Sequence, residues 1–348
     1  MAGILPELRV ISERGESMAA KISIVLATYN GSKYLAEQLE SICAQTLLPA
    51  ELVICDDNSS DATSQIVTEF CANAPFPVTF HRNPKALGFR DNFLGAYQLA
   101  TGDWIAFCDQ DDVWHPEKLE KVAAHTEGTR VTMMVHQASL IDETGRNIGS
   151  FNQGITTTKQ RGTLQYNAWG TFWGFSIVVR RDVLDLVSPA HRFVDYIDPR
   201  HLIAHDRWAC FLAQTLGETV EIAEPLVGYR QHASNVYGVP GKREQPARGN
   251  FLAEQLPYIA ATKSMLNIIE LFPDDVAERF PAFDRMKANA FYRAALLHQQ
   301  HRGLVFSKSR ISSFFICLRG VITGRYRAVH DGSMQWRSLA KDLKFIFG

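Results

Sequence analysis

Six cysteines occur in this chain of 348 residues, and no two of them form a Cys-x-x-Cys pair. None has histidines beside it at zinc spacing, so the common structural zinc motifs are not represented. Cys55 and Cys108 lie inside apolar runs and read as small core residues. A reduced, cytoplasmic protein is the expectation. Long apolar stretches are also missing. None reaches the roughly 20 residues that cross a bilayer, and the nearest, 311–323, is short and carries Arg319. Residues 1–20 have no continuous apolar core, which argues against a secretory signal. They read as a disordered leader or an overlong start, with Met18 just ahead of the first strand. No Gly-x-Gly-x-x-Gly follows that strand, which disfavours a dehydrogenase. Net charge is only −1, so no global field points to nucleic acid.

What is present centres on Phe107-Cys108-Asp109-Gln110-Asp111-Asp112-Val113-Trp114. Trp104–Cys108 reads as a buried strand of a parallel sheet. It stops at three carboxylates within four residues. Crowded carboxylates repel unless a cation sits among them, and a hard divalent ion with oxygen ligands would keep positions free for phosphate. Capping of a helix over 116–126 needs one oxygen, which accounts for Asp112 but not for all three acids.

Before this stretch the chain alternates strand and helix. Strands are expected at 21–27, 51–55 and 78–81, and helices at 32–45, from Asp61 to 72, and at 90–100. Short links between them imply a parallel sheet with right-handed crossovers. Ligands bind beyond the carboxyl ends of such strands, so Thr28–Asn30, Asp56–Asp61 and Asp109–Asp112 should gather on one edge. A strand over 131–141 follows, and 149–170 reads as a long loop. The apolar run 171–179 comes next, with Arg180 and Arg181 opening a helix as either phosphate contacts or surface residues. Residues 203–216 read as a helix, 224–229 as an edge strand, and 238–250 as a linker or lid. From Phe251 onward the pattern is helical. Arg302, Lys308, Arg310, Arg319, Arg325 and Arg327 surround the run 311–323. That is the pattern of a helix lying in the headgroup layer. The competing account packs Phe314, Phe315 and Leu318 against the rest of the protein.

Taken together, Ala27-Thr28-Tyr29-Asn30-Gly31, Asp56–Asp61, Asn83 to Gly88, Ala100–Asp103 and Asp109-Gln110-Asp111-Asp112 resemble glycosyltransferase family 2. The Asp-Gln-Asp-Asp-Val-Trp form, with His205-Asp206-Arg207-Trp208 and Tyr229-Arg230-Gln231-His232, is similar to its bacterial rhamnosyltransferase-like branch. The likeness covers roughly residues 21–236. It implies a GT-A fold: α/β, Rossmann-like, with a mostly parallel central sheet flanked by helices. A catalytic domain is then expected over 21–240, with a donor half at about 21–125 and an acceptor half at 126–240, and a helical C-terminal extension over 241–348. It also implies an inverting, metal-dependent transferase. Such an enzyme moves a sugar, rhamnose among the candidates, from a nucleotide-diphosphate donor to a cell-surface glycan such as O-antigen or to a lipid-linked acceptor.

The family pattern makes Asp109 and Asp111 the Asp-x-Asp motif, gives Asp57 to the base and makes Asp206 the catalytic base. The residue types suit this. Thr28, Tyr29 and Asn30 can wall and bond a nucleobase, Asn83 joins the donor site, and Asp109 can reach ribose. Asp109, Asp111 and His232 are the candidate ligands for Mg²⁺ or Mn²⁺. Trp173 and Trp208 are candidate acceptor platforms. A nucleotidyltransferase shares the sheet and metal logic but would need a Gly-rich basic loop after its first strand. A silent sugar-nucleotide-binding scaffold is the non-enzyme alternative, and the presence of Asp206 argues against it.

Overall fold

The computed structural model describes residues 20–233, 235, 251–328 and 330–347. The expected leader, apart from residue 20, and the whole of the linker at 238–250 lie outside them. Ten strands form one sheet. They are β1 (Ile22–Thr28), β2 (Glu51–Asp56), β3 (Val78–Arg82), β4 (Trp104–Asp109), β5 (Val113–Trp114), β6 (Val131–Ile141), β7 (Asn147–Phe151), β8 (Lys159–Arg161), β9 (Ile177–Arg180) and β10 (Glu218–Arg230). The main path runs β3-β2-β1-β4-β9-β6-β10-β5. β1 to β4 are mutually parallel, and β6 and β10 run the same way, while β9 is inserted antiparallel between β4 and β6. The sheet is thus mostly parallel and carries helices, as a GT-A fold requires.

Alternation along the strands explains burial on both faces. Val25, Val53, Ile105 and Phe107 enter one core, and Ile24, Leu26, Leu52, Ile54, Ala106 and Cys108 enter the other. Helices Leu35–Cys43 and Phe89–Leu99 fall within a few residues of their expected positions. Two expectations change. The strand expected over 224–229 is β10, thirteen residues long and interior, flanked by β6 and β5. Irregular pairing near Pro225 divides its apolar pattern, so only its second half reads as a strand. The segment 149–170 contains β8 and the end of β7, both too short and polar to announce themselves.

The C-terminal helices do two different jobs. Phe251–Glu270 and Arg285–Ser307 join the first core through Ala261, Met265, Ile269, Phe291 and Tyr292. The hydroxyls of Tyr292 and Thr215 lie 2.8 Å apart, tying this layer to helix His205–Leu216. Helices Arg310–Ile322 and Trp336–Phe347 close a separate small cluster with Val305, Phe306, Cys317, Tyr326, Leu339 and Ile346. Inside that cluster Arg302 donates from Nη2 to Asp342 at 2.7 Å, and the Tyr326 hydroxyl donates to the same carboxylate at 2.7 Å. Arg302 is therefore buried, not part of a basic rim as the sequence suggested. Phe314, Phe315 and Leu318 are exposed, and Ser313, Cys317 and Gly320 make the packed face instead.

Removing one partner from a buried ion pair leaves the other charge uncompensated, at a cost of about 3–5 kcal/mol. Arg302→Leu should therefore destabilise the C-terminal cluster by about that amount. Urea unfolding followed by circular dichroism, beside an Arg302→Leu/Asp342→Leu double variant that recovers part of the loss, checks it.

Candidate functional site

Three strand ends meet where β1, β2 and β4 stop. The Thr28 hydroxyl donates to Asp56 at 3.0 Å, and the Asn30 amide donates to Ser59 Oγ at 2.8 Å. Asn30 and Asn58 both have positive φ, 47° and 63°, which side chains that bond locally tolerate. Gln110 brackets Tyr29 from both sides of its peptide: its Oε1 accepts from the Tyr29 N–H at 2.8 Å and its Nε2 donates to the Tyr29 carbonyl at 3.1 Å. Gly31 leaves room for this arrangement, since a Cβ there would push the Gln110 amide aside. Tyr29 and Asn30 are exposed on this edge.

Thr28 and Asn83 depart from expectation. Both are buried and turned inward. Thr28 holds Asp56, and the Asn83 amide bonds Asp57 at 3.0 Å and Asn92 at 2.9 Å. Asp57 is also buried. Its carboxylate accepts from the Leu87 and Gly88 amides at 2.7 and 2.8 Å, shaping the loop ahead of helix Phe89–Leu99. These residues hold the loop 83–88 in place, and a base contact by Asp57 would share an oxygen already in use.

The acid cluster has three different environments. Asp109 is half-buried, and burial, then the negative charges of Asp111 and Asp206, pushes its carboxyl up to about 7. Asp111 Oδ2 lies 2.8 Å from His232 Nε2. Asp112 is fully buried and does not cap a helix; Oδ1 accepts the Arg230 N–H at 3.0 Å, and Oδ2 has no bonding partner among the described residues. Burial and then the charges of Asp111 and Asp109 raise its pKa well above the carboxylate range. Beneath them lies the buried ammonium of Lys118, 3.5 Å over the Trp114 ring and donating to the Phe175 carbonyl at 2.9 Å. Burial lowers its pKa to about 7.

Arg230 escaped the sequence reading although its motif was noted. Fully buried, it donates from Nε to the Asp111 carbonyl at 2.7 Å and from Nη2 to Glu37 at 2.6 Å. Its Nη1 reaches the Asp142 and Glu143 carbonyls at 3.2 and 3.3 Å, and its plane lies 4.7 Å from the Tyr34 ring. Tyr34 in turn packs against His232, with ring centroids 4.9 Å apart. Most of these partners are backbone carbonyls from distant segments, which leave no pattern in the sequence.

Asp206 sits in the first turn of helix His205–Leu216 and accepts the Arg207 N–H at 2.7 Å. His205 sets the position of this turn. Its ring stacks on Phe93 at 3.9 Å and meets Phe107 of β4 at 4.8 Å, two residues before Asp109. Gly174 allows the approach, since a Cβ there would lie 2.6 Å from His205 Nε2. Arg207 is braced by Asp195 at 2.6 Å.

Trp208 overturns expectation. Its indole is wholly buried against Phe193 and Phe211, so it is core and no platform for a sugar. Trp173 is half-buried in a ring cluster with Phe151, Phe175 and Tyr229. Arg180 pairs with Trp104 at the start of β4, the opposite end from Asp109, and bonds Asp182 and the Thr129 carbonyl. No phosphate role follows for it.

Oxygen donors beside an imidazole, in a field negative enough to raise Asp109, fit a hard or borderline divalent cation. No three His, Cys, Asp or Glu side chains among the described residues form a ready cage. Asp111 and His232 could hold such an ion with its remaining positions filled by water or by a substrate's oxygens.

Mostly parallel strands, a polar edge at their carboxyl ends and an acid cluster closing β4 are the features of a GT-A fold. Residues 23–187 are a glycosyl transferase family 2 domain. An uncharacterized glycosyltransferase of Nostoc sp. is 30% identical over 223 residues, 62% of this chain and 66% of that protein. An Escherichia coli UDP-Glc:α-D-GlcNAc-diphosphoundecaprenol β-1,3-glucosyltransferase is 36% identical over 99 residues, 28% of this chain and 38% of that protein. The alignments thus span no more than about two-thirds of these relatives. Staphylococcus aureus TarS residues 1–349, solved with UDP-GlcNAc, superposes with a TM-score of 0.54 at 18% identity, over 94% of this chain and 81% of that one.

His205 gives this site a pH signature. Burial holds its pKa at about 4 against 6.5 for the free side chain. Between those values the unfolded chain takes up a proton that the folded chain refuses. The stability is full above 6.5 and is lost as pH falls toward 4, by up to about 3 kcal/mol. His205→Phe should flatten that part of the stability–pH curve relative to wild type, as measured by urea titrations from neutral to acid pH.

Proposed function

We propose that the protein is an inverting glycosyltransferase that moves a sugar from a nucleotide-diphosphate donor to an acceptor hydroxyl. The observation that carries the reading is that Asp109, at the end of β4 where Tyr29 and Asn30 stand exposed, feels the charges of both Asp111 and Asp206; Asp109 and Asp111 lie in the stretch that matches family 2, and Asp206 follows it. Tyr29 and Asn30 line the base, Asp57 bonds it, and Asp109 faces the ribose. Asp111 and His232 would hold Mg²⁺ or Mn²⁺, whose charge offsets that of the departing diphosphate. Asp206 takes the proton of the acceptor hydroxyl as it attacks the anomeric carbon from the face opposite the diphosphate. Trp173 is the remaining aromatic candidate for the acceptor side. A diphospholipid-linked glycan on the cytoplasmic leaflet is the acceptor class we favour, in line with the Escherichia coli relative's name. Rhamnose is the first donor sugar to test, within O-antigen-type polysaccharide synthesis.

A screen of activated sugars, reading released nucleoside diphosphate, tests the reading. Asp206→Asn should lower turnover by roughly 10²–10⁴-fold while donor affinity, measured by calorimetry, stays within about twofold. Weakened donor binding with normal turnover would give Asp206 a different role. EDTA and Asp111→Asn should each remove most activity, because an amide is a poorer ligand for a hard cation. Added Mn²⁺ should restore the EDTA-treated wild type and leave the variant low; full turnover in EDTA contradicts the metal assignment.

A further inference from the structure

We infer that the outward face of helix Arg310–Ile322 seats the protein on an anionic lipid bilayer, with the helix lying in the headgroup layer. This helix is packed on one face and apolar on the other. Ser313, Cys317 and Gly320 are buried in the C-terminal cluster. On the opposite side Ile311, Phe314, Phe315, Leu318 and Ile322 all stand exposed, with Ile311 at 76%, Phe315 at 63% and Ile322 at 77%. Their spacing keeps them within one stripe of the helix surface. Phe347, also exposed, extends the stripe through its ring, 5.9 Å from that of Phe314. A solvent-facing helix side ordinarily carries polar residues, and a contiguous apolar patch of this kind marks an interaction surface.

Charge selects the partner. At about 100° per residue, Arg310 and Arg319 fall on opposite flanks of the stripe, and both are exposed. Residues 303–348 carry eight Lys and Arg against two acids, Asp331 and Asp342. Asp342 is buried against Arg302, so Asp331 is the exposed acid. The rest of the chain must be acidic for the total to reach −1, which concentrates the positive field here. An apolar stripe edged by arginines matches acyl chains under anionic headgroups. Thirteen residues rise only about 20 Å, short of the roughly 30 Å hydrocarbon layer. No described helix is long and apolar enough to cross a membrane. The helix therefore lies flat.

The inference adds a partner to the transferase reading and is tested without relying on it. The full chain is sedimented with phosphatidylcholine vesicles, with and without phosphatidylglycerol. Binding is expected on the anionic vesicles at low salt and should fall as salt rises. Phe315→Ser/Ile322→Ser and Arg310→Gln/Arg319→Gln should each bind about tenfold more weakly, with unchanged melting temperature and unchanged nucleotide release from a soluble acceptor assay. Absence of binding at low salt overturns the inference. So does binding by both variants as tight as that of the wild type, or a dimer that both variants abolish without vesicle binding, which would assign the face to a second copy. Vesicle binding by a protein inactive toward every sugar donor would leave this inference standing and sink the transferase reading.

Discussion

Negative charge gathered at the end of β4 is the constraint on which the rest of the site depends. Asp109, Asp111 and Asp112 leave a buried strand within four residues, and Asp206 arrives from a second element. Such a cluster repels itself in a low-dielectric setting. The protein answers with two buried cations used in different ways. Arg230 binds the loop through the Asp111 carbonyl and gives its own amide to Asp112. Lys118 stands below, its ammonium over the Trp114 ring. Neither neutralises the outer edge, where Asp109 still feels Asp111 and Asp206.

Holding that potential in place requires contacts between segments far apart in the chain. Arg230 joins Glu37, the β4 loop and the turn at Asp142–Glu143. His205 wedges between Phe93 and Phe107, so the helix that carries Asp206 is registered against the strand that carries Asp109. A neutral imidazole buried against the rings of Phe93 and Phe107 is a costly choice unless its position matters more than its titration.

Much of this architecture was legible in the sequence where physical signals are local. β1, β2, β4 and β6 are continuous apolar or β-branched runs ended by polar turns, and the three polar ends do meet on one edge. The misreadings share a cause as well. Helix His205–Leu216 is buried throughout from Trp208 to Leu216, so a place beside Asp206 did not reveal that the Trp208 indole lies in the core. Arg302 was grouped with its basic neighbours because its partner, Asp342, is forty residues away. Thr28 and Asn83 were taken to face a ligand, since a polar residue in a loop does not announce that its bonds are spent on its own neighbours.

The shared core has a consequence for how such proteins can be cut and recombined. Ala261, Met265, Ile269 and Tyr292 lie in the same apolar cluster as Phe211, Leu212 and Val135. A break placed between the sheet and the first C-terminal helix would strip the outer layer from helix His205–Leu216 and leave its aromatic side chains in water. Exchange with a relative would have to carry that helix together with Phe251–Glu270 and Arg285–Ser307 as one piece. Beyond Ser307 a second small cluster takes over, but it draws Val305 and Phe306 from helix Arg285–Ser307 and seats Asp342 on Arg302, so an exchanged C-terminal end would have to match those residues.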